Sequence, residues 1–128
     1  MALNLQDVFA VLKPNLLVEL EKVTPTIYQD LDAKYDKFKA HTLVSVYNFE
    51  SAWNVWERHP AGDEVVVLLS GSATMIIRKE GENEVVALSD PGAFVVVPRN
   101  TWHTAETSEP TRMLFITPGE GTENREEP

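Results

Sequence analysis

The stretch ERHPAGDE, residues 57–64, concentrates groups that bind metals or transfer protons. It contains Glu57, His59 and Glu64 around a Pro-Ala-Gly turn. Glu57 and His59 are two residues apart, so on an extended segment their side chains project from the same face. The turn then returns the chain through Glu64. We expect these three donors to converge on one ligand.

A fourth donor follows in GAFVVVPRNTWH, residues 92–103. A valine-rich strand is predicted to end at Pro98, a turn follows, and His103 opens the next segment. The chain has no cysteine, so the donors of any metal site are His, Asp and Glu. Imidazole and carboxylate without thiolate suit one divalent transition metal, with Fe, Mn, Ni, Co and Zn all compatible.

Composition limits the size of the fold and the class of partner. At 128 residues and 43% hydrophobic, the chain is long enough for one domain with a core. A net charge of −9 disfavours nucleic acid and anionic membranes as partners. The N-terminus lacks a signal-peptide pattern and no apolar run approaches 18 residues, so we expect a cytoplasmic location.

The two ends of the chain differ in pattern from its middle. In residues 1–40, apolar residues from Leu5 to Leu20 recur at spacings of three and four, which predicts amphipathic helix packed on the rest of the domain. Pro14 is expected to divide it into two short helices. Residues 24–40 fit a loop or a short helix equally well. Residues 118–128 are acidic and lack large apolar side chains, which predicts a disordered tail.

Residues 41–117 predict a mainly β domain. Short runs rich in Val, Ile, Thr, Tyr and Phe alternate with turn residues, at the spacing of a β-sandwich or barrel. The valine runs are apolar on both faces. Such strands are typically covered on one side by the core and on the other by a second sheet, a helix or a second subunit.

The ERHPAGDE segment resembles the first motif of the cupin superfamily. That motif has the form HxH, three or four residues, Glu, six residues, Gly. Glu57, His59, Glu64 and Gly71 keep this spacing, with Glu57 in the place of the first histidine. A glutamate there keeps a donor but replaces a neutral imidazole with an anion, so the full set would favour harder metals than three histidines do.

The second cupin motif is similar to residues 92–107. Gly92, Pro98 and His103 match it in order and spacing, and the resemblance extends over about residues 41–117. Asn100 replaces the inner glycine, a mild change because Asn tolerates the left-handed turn conformation. Thr107 replaces the final asparagine.

The resemblance implies a cupin double-stranded β-helix, or jelly-roll barrel, here with N-terminal helices. It implies a small metalloprotein with His59, Glu64 and His103 as ligands and Glu57 as a fourth ligand or a catalytic base. We expect an enzyme of dioxygenase, isomerase or decarboxylase type that acts on a small polar or anionic metabolite. The alternatives are a non-catalytic module that binds a sugar or metabolite, and a metal-free enzyme of the epimerase kind.

Two further side chains and one partner complete the expectations. Trp102 lies where it could line the mouth of the site, although buried aromatic residues more often fill core volume. Arg78 could face the interior and attract an anionic substrate, although Lys79 and Glu80 beside it favour an exposed strand position. Cupins commonly pair, and the doubly apolar strands agree with this, so we expect a homodimer.

Overall fold

Two facing antiparallel sheets make up most of the molecule. A computed structural model describes residues 2–127. Within this range lie eleven strands and one helix: β1 (Val8–Leu12), β2 (Val18–Lys22), α1 (Ile27–Lys34), β3 (Thr42–Phe49), β4 (Trp56–Arg58), β5 (Glu64–Ser70), β6 (Ala73–Ile77), β7 (Glu84–Leu88), β8 (Phe94–Val97), β9 (His103–Glu106), β10 (Thr111–Thr117) and β11 (Glu123–Arg125). The prediction of a mainly β chain is confirmed.

The strands lie in two separate sheets rather than in one closed barrel. The larger sheet has the order β2-β1-β3-β10-β5-β8, and the smaller has the order β11-β4-β9-β6-β7. Each sheet keeps two edge strands of its own, which is why the predicted closed barrel is not seen in the described part of the chain. The main core lies between the sheets and includes Val66, Leu68, Met75, Ile77 and Met113.

The predicted N-terminal helices are wrong, because residues 8–22 form a β-hairpin that extends the larger sheet. Phe9 and Val11 are buried and their neighbours are less so, which is the two-residue period of a strand. Pro14 opens the hairpin turn instead of separating two helices. Leu16 occupies the left-handed region there, with φ 72°, and its N–H donates to the carbonyl of Lys13 over 2.9 Å.

The helix α1 occupies the segment whose sequence fitted a loop or a helix. It buries Ile27 and Leu31 against Phe9, Val11 and other residues of a second apolar cluster. The helix therefore covers the part of the larger sheet that the smaller sheet leaves open. No helix in residues 2–127 is long and apolar enough to cross a membrane.

The predicted disorder of residues 118–128 is also wrong for the described part of that segment. Strand β11 pairs with β4, and Asn124 lies opposite Glu57. An ion pair of 2.7 Å between Arg58 and Glu123 adds to the backbone ladder. Backbone hydrogen bonds and polar contacts hold this strand, so its lack of apolar side chains did not reveal it.

Substitutions at two glycines measure how closely the backbone packs at the turns. Both Gly71 and Gly81 have positive φ, but a Cβ on Gly71 would lie 2.4 Å from the carbonyl oxygen of Pro110, whereas Gly81 faces open space. We expect Gly71→Ala to lower the free energy of unfolding by about 3 kcal/mol, since strain and overlap add. Gly81→Ala carries only the conformational strain, about 1 kcal/mol. Urea denaturation of both variants measures the difference, and equal losses would contradict the close approach.

Candidate metal centre

The structure brings the four sequence-predicted donors together between the two sheets. Glu57 lies in β4, His59 directly after it, and His103 at the start of β9, all on the smaller sheet. Glu57 and His103 are direct cross-strand partners. Glu64 is the first residue of β5 in the larger sheet, so the site joins one sheet to the other.

The turns of the two sequence motifs are joined by hydrogen bonds from the backbone amides of the second motif. The N–H of Asn100 donates to the carbonyl of His59 over 2.9 Å, and the N–H of Arg99 donates to Oδ1 of Asp63 over 2.7 Å. Asn100 has φ 59°, the left-handed conformation for which the motif uses glycine. These contacts place His103 opposite His59 and Glu64.

Three of the donors are almost completely shielded from solvent. His59, Glu64 and His103 expose 5%, 2% and 0% of their surface. Nε2 of His59 lies 3.2 Å from Oε2 of Glu64, and Nε2 of His103 lies 3.0 Å from Oε1 of the same carboxylate. Oε2 of Glu57 lies 3.7 Å from Nε2 of His59. Despite these short separations, Nε2 of both histidines and Oε1 of Glu64 lack a well-aligned hydrogen bond.

The outer nitrogens of the two imidazoles fix their tautomers. Nδ1 of His103 lies 3.0 Å from the carbonyl oxygen of Thr101, which can only accept, so this nitrogen carries the proton. The hydroxyl of Thr122 donates to the carbonyl of Gly119 over 2.9 Å, and its oxygen lies 2.8 Å from Nδ1 of His59. That oxygen must therefore accept from Nδ1. In the neutral form of each imidazole, Nε2 then presents a lone pair to the site, whereas a protonated His103 would donate from Nε2 to Glu64.

This arrangement fits a divalent cation. Ligand atoms about 2.1 Å from one ion lie about 3.0–3.4 Å apart at right or tetrahedral angles. The separations of 3.2 and 3.0 Å from His59 and His103 to Glu64 match this range, and the 3.7 Å between Glu57 and His59 is longer. One donor atom each from Glu57, His59 and His103 lies within 4.8 Å of the other two. A cation at the point where these atoms converge would satisfy the buried atoms that lack hydrogen bonds. Two imidazoles and two carboxylates suit first-row transition metals.

Proximity within the site changes the acidity of its groups. Burial alone would raise the pKa of Glu64, but its contacts with the imidazoles of His103 and His59 outweigh burial and lower that pKa to about 2. Burial lowers the pKa of His103, and the Glu64 carboxylate outweighs this effect, so the pKa is raised. The pKa of Glu57 is raised by burial first and by the charge of Glu64 second. Of the two carboxylates, Glu64 is therefore the more acidic.

The family of the chain follows from a comparison with known proteins. A model of the cupin domain matches residues 49–117, just over half of the sequence. The chain belongs to the cupin family. No curated protein sequence matches this cupin.

Solved structures agree with the fold of this cupin. A cupin-2 domain protein from Shewanella frigidimarina has 22% identity and a TM-score of 0.51, over 60% of this chain and 70% of the other. Oxalate decarboxylase from Bacillus subtilis, in a structure concerned with its Mn(II) centres, has 19% identity and a TM-score of 0.51, over 66% of this chain. The match spans only 23% of that enzyme. At such identities the likeness concerns the fold alone.

The centre of this cupin opens into a cavity of about 560 Å³ between the sheets. Glu57, His59 and Glu64 line it together with Trp53, whereas the lining does not include Trp102 or Arg78. The guanidinium of Arg78 lies over the ring of Trp56, 4.9 Å from its centroid. The possible pocket roles of Trp102 and Arg78 are therefore not supported, and Arg78 lies outside the cavity as its acidic and basic neighbours favoured. Arg78 directly follows buried Ile77 of β6 and Trp102 directly precedes buried His103 of β9, so alternation of side chains points both outward.

Two groups that contact the centre of this cupin were missed by the analysis of its sequence. Thr122 contacts His59 from the segment predicted to be disordered, and the hydroxyl of Thr117 donates to Oε2 of Glu64 over 2.6 Å. Thr117 is the last residue of a strand predicted from the sequence. In the larger sheet this strand, β10, lies beside β5, which carries Glu64. The sequence offered no other signal that Thr117 contacts the centre. Nothing local to Thr122 indicates its role.

Thr122 gives a sharp test of the centre. Thr122→Val removes the acceptor for Nδ1 of His59 while keeping the shape of the side chain. We expect the dissociation constant for Zn²⁺ to rise about tenfold, the effect typical of an outer hydrogen-bond partner of a metal ligand. Isothermal titration calorimetry measures it, with Thr122→Ser as the control that keeps the hydroxyl. Unchanged affinity in a folded Thr122→Val protein would refute this role.

Proposed function

We propose that this cupin binds one divalent transition metal through His59, Glu64, His103 and Glu57 and uses it to act on a small molecule in the cavity. One observation carries the proposal. Nε2 of both buried histidines and Oε1 of Glu64 converge without aligned hydrogen bonds, while both Nδ1 atoms are occupied from behind. Most buried polar atoms in folded proteins have a hydrogen-bond partner, so three such atoms side by side favour an additional ligand between them.

Glu57 is best suited to the role of fourth ligand. Its carboxylate is the least buried of the four donors, yet it lies within reach of both imidazoles and lines the cavity. A bound divalent ion supplies a Lewis acid that polarises an oxygen of the substrate. With four protein ligands, an octahedral ion keeps two positions for a substrate that bears adjacent oxygens. Reactions of the decarboxylase, isomerase or dioxygenase type fit such a centre.

Metal content measures the proposed centre directly. We expect about one transition metal per chain in wild-type protein after exposure to Mn²⁺ or Zn²⁺, measured by elemental mass spectrometry. His59→Ala and His103→Ala should each lose it, because each removes a buried ligand. Glu57→Ala should retain the fold and bind the metal at least tenfold more weakly.

The third histidine supplies a matched control for this experiment. His41 lies against the rings of Tyr35 and Phe38, away from the centre. His41→Ala should therefore keep a full complement of metal. Wild-type protein that stays free of metal after reconstitution would contradict the centre, and a full complement in Glu57→Ala would assign Glu57 to proton transfer instead.

We also propose that the chain forms a homodimer through the outer face of the larger sheet. Six strands present apolar side chains on this face: Leu12, Val18, Leu20, Val44, Val46, Val65, Val67, Phe94, Val96, Leu114 and Ile116. With strands about 4.8 Å apart, the patch is wider than a monomer usually exposes. Its strand positions carry no carboxylate, so the negative charge of this acidic chain lies on other parts of the surface.

Substitutions at Phe94 and Val85 test whether the outer face of the larger sheet forms the interface. Phe94 is 61% exposed on the larger sheet and Val85 is 64% exposed on the smaller one. We expect wild-type protein to sediment at twice 14.4 kDa, and Phe94→Glu to shift it toward the monomer because a buried carboxylate at the interface is unpaired. Val85→Glu should leave the mass unchanged. A wild-type monomer in sedimentation velocity would refute the dimer.

A further inference from the structure

The wall of the cavity is rich in aromatic side chains. Tyr28 and Phe38 approach from α1 and the turn after it, and Tyr47, Trp53 and Phe115 come from the larger sheet and its neighbouring loop. A volume of about 560 Å³ lies in the range of pockets that enclose a small ligand. The cavity therefore suits a molecule with an apolar, preferably aromatic, body.

The charged groups of this wall have a single sign. Asp32, Glu57 and Glu64 line the cavity, and no Lys or Arg is among its lining residues in the described range 2–127. The arginines of the neighbouring strands are engaged elsewhere. Arg58 pairs with Glu123 and lies 4.7 Å from the ring centroid of Trp102.

A bound metal would not make the net charge of the cavity lining positive. The two positive charges of a divalent ion equal the two negative charges of ionised Glu57 and Glu64, and Asp32 adds a further negative charge to the lining. An anionic ligand would thus leave water for a low-dielectric space without a compensating cation. A cationic or neutral ligand has no such cost, and Ser45 and Asn124 of the lining offer uncharged hydrogen-bonding groups.

Taking the metal centre proposed above as its basis, we propose that the cavity selects a neutral or cationic small molecule with an aromatic body and two adjacent oxygen donors. It differs from the anionic part of the sequence-based expectation of a small polar or anionic metabolite. It also separates this cavity from one that holds a small dianion such as oxalate, for which both the aromatic wall and the missing cation are unfavourable.

Three catechols that share a chelating head test this selection. The shared head loses the same protons on chelation, so the three differ in the charge of the ring substituent: a neutral methyl in 4-methylcatechol, a cationic amine in dopamine and an anionic carboxylate in 3,4-dihydroxybenzoate. Each is titrated calorimetrically into Zn²⁺-loaded protein, and its affinity is divided by its affinity for aqueous Zn²⁺. We expect this ratio to be at least tenfold higher for the neutral and cationic compounds than for the anion. An equal or higher ratio for the anion, or no binding of any of the three, would overturn the proposal.

Asp32 and Asp36 provide matched variants for the charge effect. Asp32 lines the cavity, whereas Asp36 is exposed and is not part of the lining. Asp32→Asn should reduce the preference for dopamine over the anion about threefold, and Asp36→Asn should leave it unchanged. Equal effects of both variants would show that the selection does not arise from Asp32 in the cavity lining. Failure of the protein to bind Zn²⁺ in the initial titration would instead refute the metal centre, so the two failures are distinct.

Discussion

The buried carboxylate of Glu64 is the constraint on which the rest of the structure depends. An ionised group with almost no contact with water is strongly unfavourable unless positive or hydrogen-bonding partners surround it. Here the hydroxyl of Thr117 donates to one oxygen, and Nε2 of His59 and of His103 lie within 3.2 Å of the carboxylate. Because Glu64 belongs to the larger sheet and both imidazoles to the smaller, this one charge joins the two sheets. A proton on His103 or a cation held between the sheets would balance it.

The alternation of side chains along each strand then decides what the cavity contains. In β4, Glu57 points inward, while Trp56 and Arg58 on either side of it point outward and meet Arg78 and Trp102. The same period places the neighbours of the buried core residues on the outer faces. The cationic side chains of the smaller sheet therefore stack on aromatic rings at its exterior, and the interior keeps the acidic and aromatic groups.

The sequence predicted the site better than it predicted the ends of the chain. Glu57, His59, Glu64 and His103 were found because strands and tight turns convert short spacings into convergence. The N-terminal hairpin was missed because its apolar residues fit a spacing of three and four as well as one of two, and only pairing with β3 decides between them. Strand β11 was missed because its stability lies in backbone hydrogen bonds, which leave no mark on composition. Because the position of Thr122 depends on strand β11, its role could not be predicted without that strand.

The three tryptophans occupy environments that differ in kind, and this gives the protein an internal optical reporter. Trp53 packs among Phe49, Phe115 and Tyr47 on the cavity wall, and its indole nitrogen is buried without a hydrogen-bond partner. The other two indoles lie beneath guanidinium groups on the outer surface. Of the three indoles only that of Trp53 lines the cavity, so a molecule that enters the cavity contacts this fluorophore and not the other two.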